Sequence, residues 1–532
     1  DTVIVEAGGL YALPGLCDAH MHIESGMLTP ARFAEAVIPH GTTTMFVDPH
    51  EIANVLGLAG VRLMNDEARQ QPVNIFVQIP SCIPSAPGLE TPGADLGPSE
   101  VAEALKWPNI IGLGEMMNYP GAAAGDPRML EEMSLTMAAG KTVGGHYASP
   151  DVDDGFHAYV ASGPADDHES TRESDAIARV RQGMRVMLRL GSAWHDVESQ
   201  ITAVVEKNLD PRNFLLCTDD CNANTLVFDG HMDRVVRHAI ACGCDPVVAL
   251  QMATINTATH FGLERELGSI APGRRADLIL TDDLATLPIL EVYARGRHVA
   301  SRGAMTIETP MINWPDDARH SVRTGRRLDK SDFVITVDKS PKDNLITANV
   351  IGILENLAPT RHLRFEMPVV DGVVSIDVEQ GISQVALVER HRETGRVVHG
   401  FVHGFGYRGS MALASTIAHD CHHMIIVGTS HAEMAMAANH LAEIDGGISL
   451  WQDGYEQATV HLPIAGLMSD SPAVSVANEL ENLTRAMQAC GCSLNNAYMQ
   501  HTLLALAVIP ELRISDLGLV DVNTFSLTEV FV

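Results

Sequence analysis

Short apolar, β-branched runs alternate with helix-like segments between residues 10 and 262, and this alternation limits the possible folds more than any other feature. Seven such runs are present: LYALPGLCDAHMH, TTTMFVDP, VNIFVQIPS, NIIGLGEMM, KTVGGHY, MRVMLRLGS and NFLLCTDD. The polar segment DDHES between the fifth and sixth runs is a weak eighth candidate strand. Strand–helix alternation favours a parallel sheet, and eight units in about 250 residues suit a closed, TIM-like (β/α)8 barrel. An open doubly wound sheet is the alternative, but it usually carries a Gly-rich phosphate-binding turn after its first strand, and this chain has none there.

Residues that can ligate metals or transfer protons follow most of these runs. In chain order they are His20, His22, Asp48 to Glu51, Glu115, His146, His168, Asp219 and Asp220. Catalytic groups of parallel barrels lie at the carboxyl ends of the strands, so we expect these side chains to meet at one rim. Each residue has an ordinary explanation by itself, such as a helix cap or a solvated turn. A cluster of these residue types, however, is typical of a metal or catalytic site.

The His-x-His pair at the first strand end indicates a metal centre. Residues two apart in a strand point to the same face, so His20 and His22 project together, and neutral imidazole is a good ligand for Mn, Fe(II) or Zn. The candidate ligands on the rim are His20, His22, Glu115, His146, His168 and Asp219. These six groups exceed the three protein ligands of a catalytic zinc ion, so we expect two divalent ions with Glu115 as the bridging carboxylate.

Longer strings of the chain resemble the amidohydrolase superfamily and, more closely, its prokaryotic adenine deaminases. The barrel strings are PGLCDAHMHIESGMLTP, GTTTMFVDPHEIANVLG, PSCIPSAPGLE, GLGEMMN, HES and CTDD. The C-terminal strings include GFVHGFGYRGSMALASTIAHDCHHMIIVG, EMAMAANHLAEIDGG, LPIAGLMSD and ALAVIPELRISDLGLVDV. The resemblance implies a hydrolase that converts adenine to hypoxanthine and ammonia at a cyclic amidine C–N bond.

The resemblance also implies roles for the rim residues. One ion is held by His20, His22 and Asp219, the second by His146 and His168, with Glu115 between them. Many relatives bridge their metals with a carboxylated lysine, and here Glu115 takes that place. Lys141 lies at the wrong end of its predicted strand, so we interpret it as structural.

The implied chemistry needs an attack on C6 of the purine and two proton transfers. A hydroxide formed between two dications is the expected nucleophile, and Asp219 is the expected general acid–base. Candidates for protonating the ring, or for orienting a metal ligand instead, are Glu24, Asp48, His50 and Glu169. Ser81 and Cys82 could border the purine pocket or pack within a buried loop. The predicted substrate-binding residues are thus Asp48, His50, Ser81, Cys82 and Glu169, and Glu24 is a candidate catalytic carboxylate.

The chain outside the barrel divides into smaller units. We expect one β-sandwich strand in residues 1–9, the barrel in residues 10–262, more of the sandwich in residues 263–320, and an α+β domain in residues 321–532. In the last unit DFVITVD, ANVIGIL and QVALVERH are predicted strands, and HAEMAMAANHLAEID and AVSVANELENLTRAMQACG are predicted helices. Its AHDCHHM string places His419, Asp420 and His422 together, either as a further metal site, as a lid element at the barrel mouth, or as a polar turn.

Charge and cysteine content exclude several classes of partner. Thirty-six basic residues against 67 acidic ones give a formal net charge of −31, which repels nucleic acids and anionic membranes. Nine cysteines, many in apolar contexts, argue against a disulfide framework and for a reducing, cytoplasmic location. We expect a homo-oligomer, as is common for such a family, and we expect further N-terminal residues, because the chain begins at Asp1 and supplies only one early sandwich strand.

Two other functions fit the same residues. A binuclear amidohydrolase could instead open a cyclic amide or imide, with the same barrel and the same ligands. A non-catalytic metal-binding scaffold would saturate its metal with protein ligands and leave no open position. Activity on adenine with release of ammonia would separate the deaminase from both.

Overall fold

The computed structural model describes residues 4–337, 341 and 343–532. Regular structure begins with β1 (Tyr11–Pro14), and the next eight strands form the barrel. They are β2 (Leu16–Met21), β3 (Thr42–Val47), β4 (Asn74–Ile79), β5 (Ile110–Met116), β6 (Thr142–Gly145), β7 (Asp166–Asp167), β8 (Arg185–Arg189) and β9 (Phe214–Cys217). Each predicted barrel run therefore contains one barrel strand, and the first run also contains β1.

The barrel strands are parallel and close on themselves. Ladders join β2 through β6 and β7 through β9 in sequence order. The Ala165 amide donates to the Val143 carbonyl (2.9 Å) between β6 and β7, and the Asp219 amide donates to the His20 carbonyl (3.0 Å) between β9 and β2. This geometry confirms the predicted TIM-like barrel.

Eleven α-helices accompany the eight barrel strands, three more than one helix for each strand. They are α1 (Pro30–Val37), α2 (His50–Ala68), α3 (Pro98–Ala104), α4 (Tyr119–Ala124), α5 (Pro127–Ala138), α6 (Asp154–Ser162), α7 (Glu173–Arg181), α8 (Val197–Val205), α9 (Met232–Ala241), α10 (Pro246–Met252) and α11 (Ile255–His260). Proline occupies the first turn of α1 and α5, and Asp126 caps α5 by accepting from the Arg128 amide (2.9 Å), as expected for such starts. Gly57 interrupts α2 with φ 62°, a backbone conformation that glycine adopts readily.

A small antiparallel sheet combines β1 with four strands that follow the barrel. These are β10 (Leu278–Thr281), β11 (Glu291–Ala294), β12 (Arg297–Ser301) and β13 (Ala304–Met305), in the order β1-β10-β11-β12-β13. The prediction of a strand within residues 1–9 is wrong for the described residues 4–9, and residues 1–3 lie outside the described part of the chain. The strand starts later because Gly8 and Gly9 both take positive φ in a turn, after which Tyr11 pairs with Thr281.

The C-terminal region is built around a nine-stranded sheet and follows a short helix, α12 (Asp316–Arg319). Its strands are β14 (Leu345–Ile353), β15 (Thr360–Val370), β16 (Val373–Val374), β17 (Ile382–Val388), β18 (Val397–His403), β19 (Met411–Ser415), β20 (Met424–Gly428), β21 (Gly447–Gln452) and β22 (Tyr455–His461). Three helices, α13 (His431–Glu443), α14 (Ala473–Ala489) and α15 (Ala497–Thr502), and a hairpin sheet of β23 (Leu512–Ser515), β24 (Gly518–Asp521) and β25 (Ser526–Thr528) complete it.

One predicted strand of this region does not form. The string DFVITVD begins inside a 3-10 turn, Lys330–Phe333, and then makes one isolated bridge between Thr336 and Val373. Asp338 lies outside the described residues. Phe333 is instead fully buried against the sheet, so its apolar side chain marks core packing rather than a strand.

The C-terminal region packs directly onto the barrel. The Ser469 amide donates to the Met27 carbonyl (2.8 Å), and the Thr29 amide donates to the Ser469 carbonyl (3.2 Å). One continuous cluster of buried apolar side chains includes Leu16 and Met21 of the barrel and Leu413 of the C-terminal sheet. In the described part of the chain, every helix is too short or too polar to cross a membrane.

Candidate active site

Strand β2 and the end of β9 bring three candidate ligands together. His20 and His22 project from the end of β2 to the same side, with ring centroids 4.8 Å apart. The bond from the Asp219 amide to the His20 carbonyl sets Asp219 beside them. Its Oδ1 lies 3.2 Å from His22 Nε2 and 3.6 Å from His20 Nε2. All three residues are buried.

Glu115, the next-to-last residue of β5, lies at the centre of the cluster. Its Oε2 is 2.6 Å from His146 Nδ1 and 3.0 Å from His168 Nε2. Its Oε1 faces the other way and is 3.4 Å from both His22 Nε2 and His50 Nδ1. The two carboxylate oxygens therefore serve two different sets of imidazoles. All six predicted ligands meet at one rim, as the strand-end pattern predicts.

The donor set fits divalent cations. His20, Glu115 and His168 form one group of close ligand atoms, and His20, His22 and Asp219 form another. His20 Nε2 is buried and has no hydrogen-bond partner among the described residues. The Nδ1–H of His22 donates to the Asp48 carbonyl (2.8 Å), which fixes the tautomer that leaves Nε2 free as a ligand. Buried imidazole and carboxylate groups of this kind bind Mn, Fe(II) or Zn.

The charges of the cluster favour ionised carboxylates. Burial works against charge on Glu115, but His146 and His168 outweigh it and hold the pKa of Glu115 well below its usual range. Burial is likewise overcome at Asp219, where His22 and the Arg189 guanidinium keep the pKa well below its ordinary value. Two ionised carboxylates in a buried site attract a cation strongly.

Arg189, the last residue of β8, holds the acidic side of the site and was missed by the sequence analysis. Its Nη1 donates to Asp219 Oδ2 (2.8 Å) and to Glu169 Oε1 (2.5 Å), and its Nε donates to Asp196 Oδ2 (2.9 Å). A guanidinium with this fork of donors fixes several carboxylates at once. The only sequence signal was a charged residue near the end of the run MRVMLRLGS, the one predicted strand for which the sequence analysis named no candidate residue.

Comparison with known proteins identifies the family. The amidohydrolase family model matches residues 11–313, and the adenine deaminase C-terminal domain matches residues 358–526. An adenine deaminase of Ruegeria pomeroyi is 68% identical over 526 residues, which cover 99% of this chain and 87% of the relative. An adenine deaminase of Moorella thermoacetica is 46% identical over 530 residues, which cover 100% of this chain and 88% of the relative. The chain belongs to the adenine deaminase family.

The cavity of this adenine deaminase family member lies over the ligand cluster. It has a volume of about 890 Å³ and is lined by both the barrel and the C-terminal region. Of the predicted substrate-binding residues, His50 and Glu169 line it, and Glu169 Oε1 lies 3.6 Å from His168 Nε2. Burial lowers the pKa of His50 to about 3, so its imidazole is neutral.

Four predicted residues, Glu24, Asp48, Ser81 and Cys82, do not line this cavity, and their contacts fit the other alternative, in which they orient a ligand or pack within a buried loop. Asp48 Oδ2 accepts from the Glu115 amide (2.8 Å), and Ser81 Oγ donates to the Glu115 carbonyl (2.6 Å). Both side chains therefore hold the backbone of Glu115 in place. Gly114 allows this approach, because a Cβ there would lie 2.1 Å from Asp48 Oδ2.

The other two residues, Cys82 and Glu24, are buried, and each accepts a hydrogen bond from a backbone amide. Cys82 Sγ accepts from the Asn118 amide (3.2 Å) and lies near the Met116 sulfur. Glu24, the predicted catalytic carboxylate, is fully buried beneath the site, where its Oε1 accepts from the Ile52 amide (3.3 Å) in the first turn of α2. Neither side chain reaches the cavity.

The three predicted residues of the C-terminal AHDCHHM string lie in different surroundings. His419 and Asp420 line the cavity, whereas His422 does not. His422 is fully buried, and its Nδ1 accepts from the Ala418 amide (3.2 Å), which ties it to its own loop. His419 therefore belongs to two groups of close ligand atoms, one with His50 and Asp420 and the other with Glu51 and His422.

Proposed function

We propose that the chain is an adenine aminohydrolase that converts adenine and water to hypoxanthine and ammonia. The observation that carries the proposal is the position of Glu115, whose two oxygens face two sets of imidazoles at the floor of the cavity. Membership of the adenine deaminase family supports adenine as the substrate.

We propose two divalent ions as cofactor, with Mn or Fe(II) favoured and Zn possible as a substitute, because the donors are all nitrogen and oxygen. The residues that would hold them are His20, His22 and Asp219 for one, His146 and His168 for the other, and Glu115 between them. When bound, such a pair lowers the pKa of bound water so that hydroxide forms near neutral pH.

The chain's own side chains supply the proton transfers. Asp219 is the proposed general base and acid: it accepts a proton at Oδ1, the oxygen that faces His20 and His22, and returns it to the departing amine. Arg189 binds the opposite oxygen, Oδ2, and so keeps Oδ1 directed at the reacting centre. His50 and Glu169 both line the cavity. Glu169 is the proposed group for protonating the ring, because the neutral imidazole of His50 is a poor proton donor.

The deciding experiment measures ammonia release by the purified chain loaded with Mn, Fe(II) or Zn. We expect turnover of adenine and none of a cyclic amide or imide. Turnover of the cyclic amide alone would replace the deaminase with the alternative amidohydrolase, and no turnover with full metal loading would favour a binding scaffold. A Glu115→Gln variant is the control, expected to retain fewer metal ions and to lose at least about a thousandfold in kcat.

We also propose that the protein works in the reducing cytoplasm as a homo-oligomer. All nine cysteines are free thiols, which supports the first point. Light scattering on the purified chain would test the second.

A further inference from the structure

The segment of residues 417–423, called here the cavity loop, brings C-terminal side chains into the active site. It connects β19 and β20, two adjacent strands inside the nine-stranded sheet. His419 and Asp420 of this loop line the same cavity as Glu115 and His146. The barrel alone therefore does not form the whole site.

The cavity loop is held rigidly. The buried Arg390 guanidinium donates to the carbonyls of His422, Thr416 (3.2 Å) and Ala465 (3.0 Å). His391 Nε2–H donates to the Cys421 carbonyl (2.7 Å) on the other side. These bonds fix the backbone on both sides of Asp420, so its carboxylate occupies a defined position before any ligand arrives.

Asp420 is buried and lies near the Ser85 hydroxyl, but one of its carboxylate oxygens has no hydrogen-bond partner among the described residues. It is 2% exposed, and its Oδ2 has no hydrogen-bond partner there. The nearest ring nitrogens, His50 Nε2 and His419 Nδ1, are both 3.9 Å from Oδ1, too far for hydrogen bonds. A buried polar group left unpaired is costly, so such a group calls for a partner from outside the chain.

Adenine has the chemistry that this position lacks. It is a flat ring with apolar faces, and its imidazole half carries an acidic N–H and, one ring carbon away, a nitrogen that accepts hydrogen bonds. Leu503, Leu506 and Val508 form an apolar part of the cavity wall. A carboxylate and an imidazole about 4 Å apart can contact a donor and an acceptor that are separated by one ring carbon.

We propose that Asp420 is a specificity-determining residue that accepts a hydrogen bond from the imidazole-ring N–H of adenine, with His419 contacting the accepting nitrogen one ring carbon away. The contact holds the far end of the ring so that C6 faces the ligand cluster around Glu115. This inference rests on the proposed function, since it names what the same cavity recognises. It assigns the C-terminal domain a direct part in choosing the substrate.

A third metal ion is the competing occupant of this position. His50, His419 and Asp420 offer ligand atoms that lie within 4.8 Å of one another. The heterocycle is favoured because Asp420 and His419 share their cavity with the apolar side chains, whereas an ion requires only the polar atoms. The two occupants give opposite results in a measurement of metal content.

The test compares the holoenzyme with Asp420→Ala and Asp420→Asn, using adenine and 9-methyladenine as ligands. Asp453→Asn, an exposed change of the same charge in the same domain, is the matched control. We expect Asp420→Ala to raise KM for adenine about 10- to 100-fold while kcat changes less than about threefold, as for loss of a hydrogen bond to a charged group. The inhibition constant of 9-methyladenine, which lacks that N–H, should not weaken in the variant, so the preference of the wild type for adenine disappears.

Three results would overturn the inference in a wild type that turns over adenine. They are an unchanged KM, an equal loss of affinity for both ligands, or a metal content that falls by one ion per chain in the Asp420 variants. A wild type without activity on adenine would instead contradict the proposed function itself. Circular dichroism of each variant would show that the loss comes from the site rather than from unfolding.

Discussion

At the scale of single residues, Arg189 is the side chain on which the acidic half of the site depends. It binds Asp219 and Glu169 at 2.8 Å and 2.5 Å, and both carboxylates lie beside imidazoles of the ligand cluster. We predict that Arg189→Met lowers kcat about 10- to 1,000-fold, because a misplaced general base loses much of its effect. Steady-state kinetics at full metal loading would measure this loss.

The control for Arg189 is the conservative change. Arg189→Lys keeps one charge but loses the fork that reaches three carboxylates, so we expect it to recover only part of the lost rate. Full activity in Arg189→Met would show that Asp219 keeps its orientation without the guanidinium.

Lys141 tests the assignment of Glu115 as the central bridge. Its Nζ donates to the Leu105 carbonyl (2.6 Å) at the start of β6, whereas His146 follows the other end of that strand. We predict that Lys141→Met keeps kcat within about threefold and leaves metal content unchanged, with a loss of stability of about 1 kcal/mol. Metal analysis and kinetics on one preparation would check both, and a loss of bound metal would refute the assignment.

Site residues at strand ends could be placed from the sequence, whereas site residues positioned by long-range contacts could not. His20, Glu115 and Asp219 follow apolar runs, and the closure of a parallel barrel brings such ends together. For Asp420 a lid at the barrel mouth was one of three alternatives, and local sequence could not choose among them, because its position depends on how a separate sheet packs over the barrel. For Asp48 the two alternatives could not be separated either, because a strand-end carboxylate can turn inward and bind a neighbouring backbone amide.

At the scale of elements, the barrel was easier to predict than the C-terminal sheet. A barrel strand is buried on both faces and therefore tends to be one continuous apolar run, which the chain shows for seven of its eight barrel strands, the exception being Asp166–Asp167. The nine-stranded sheet has the order β16-β15-β14-β18-β17-β20-β19-β21-β22, which pairs strands far apart in the chain. Local patterns reveal the strands but not such an order, since pairing depends on contacts between distant segments.

Helix α2 contains a buried carboxyl that makes stability depend on pH. Glu67 is fully buried, its Oε1 accepts from the Ile312 amide (3.1 Å), and burial raises its pKa to about 7. The folded state therefore holds a proton that the unfolded state releases at lower pH. Stability falls as pH rises from the ordinary value of 4.5 to about 7, because the charged form is disfavoured only in the folded protein.

We predict that Glu67→Gln removes this loss of stability. The amide keeps the acceptor for Ile312 but cannot ionise, so the variant should gain on the order of 2 kcal/mol near pH 8 and almost nothing near pH 4. Calorimetry should show a melting temperature raised by about 1–3 °C at the higher pH. Glu131→Gln, an exposed change on α5, is the control, and an equal gain at both pH values would exclude ionisation as the cause.

At the scale of the whole molecule, the barrel and the C-terminal region behave as one folded body around the site. A single apolar cluster runs through both, and backbone hydrogen bonds join residues near the barrel mouth, such as Met27, to Ser469. The cavity is lined from both sides. Ligand binding at this junction therefore stabilises contacts within each part and between the two.

Removing metal should accordingly destabilise the entire chain. The cluster buries two carboxylates within reach of each other, Glu115 and Asp219, and a cation that binds only the folded state adds free energy of unfolding. This gain is about 4 kcal/mol when free metal is a thousandfold above its dissociation constant. We predict that chelation lowers the melting temperature by several degrees in one cooperative transition, and that adding Mn restores both stability and activity. Glu115→Gln should respond far less to chelator. Two separate transitions, with only the barrel shifted by metal, would show that the two regions unfold independently and that the shared core does not couple them.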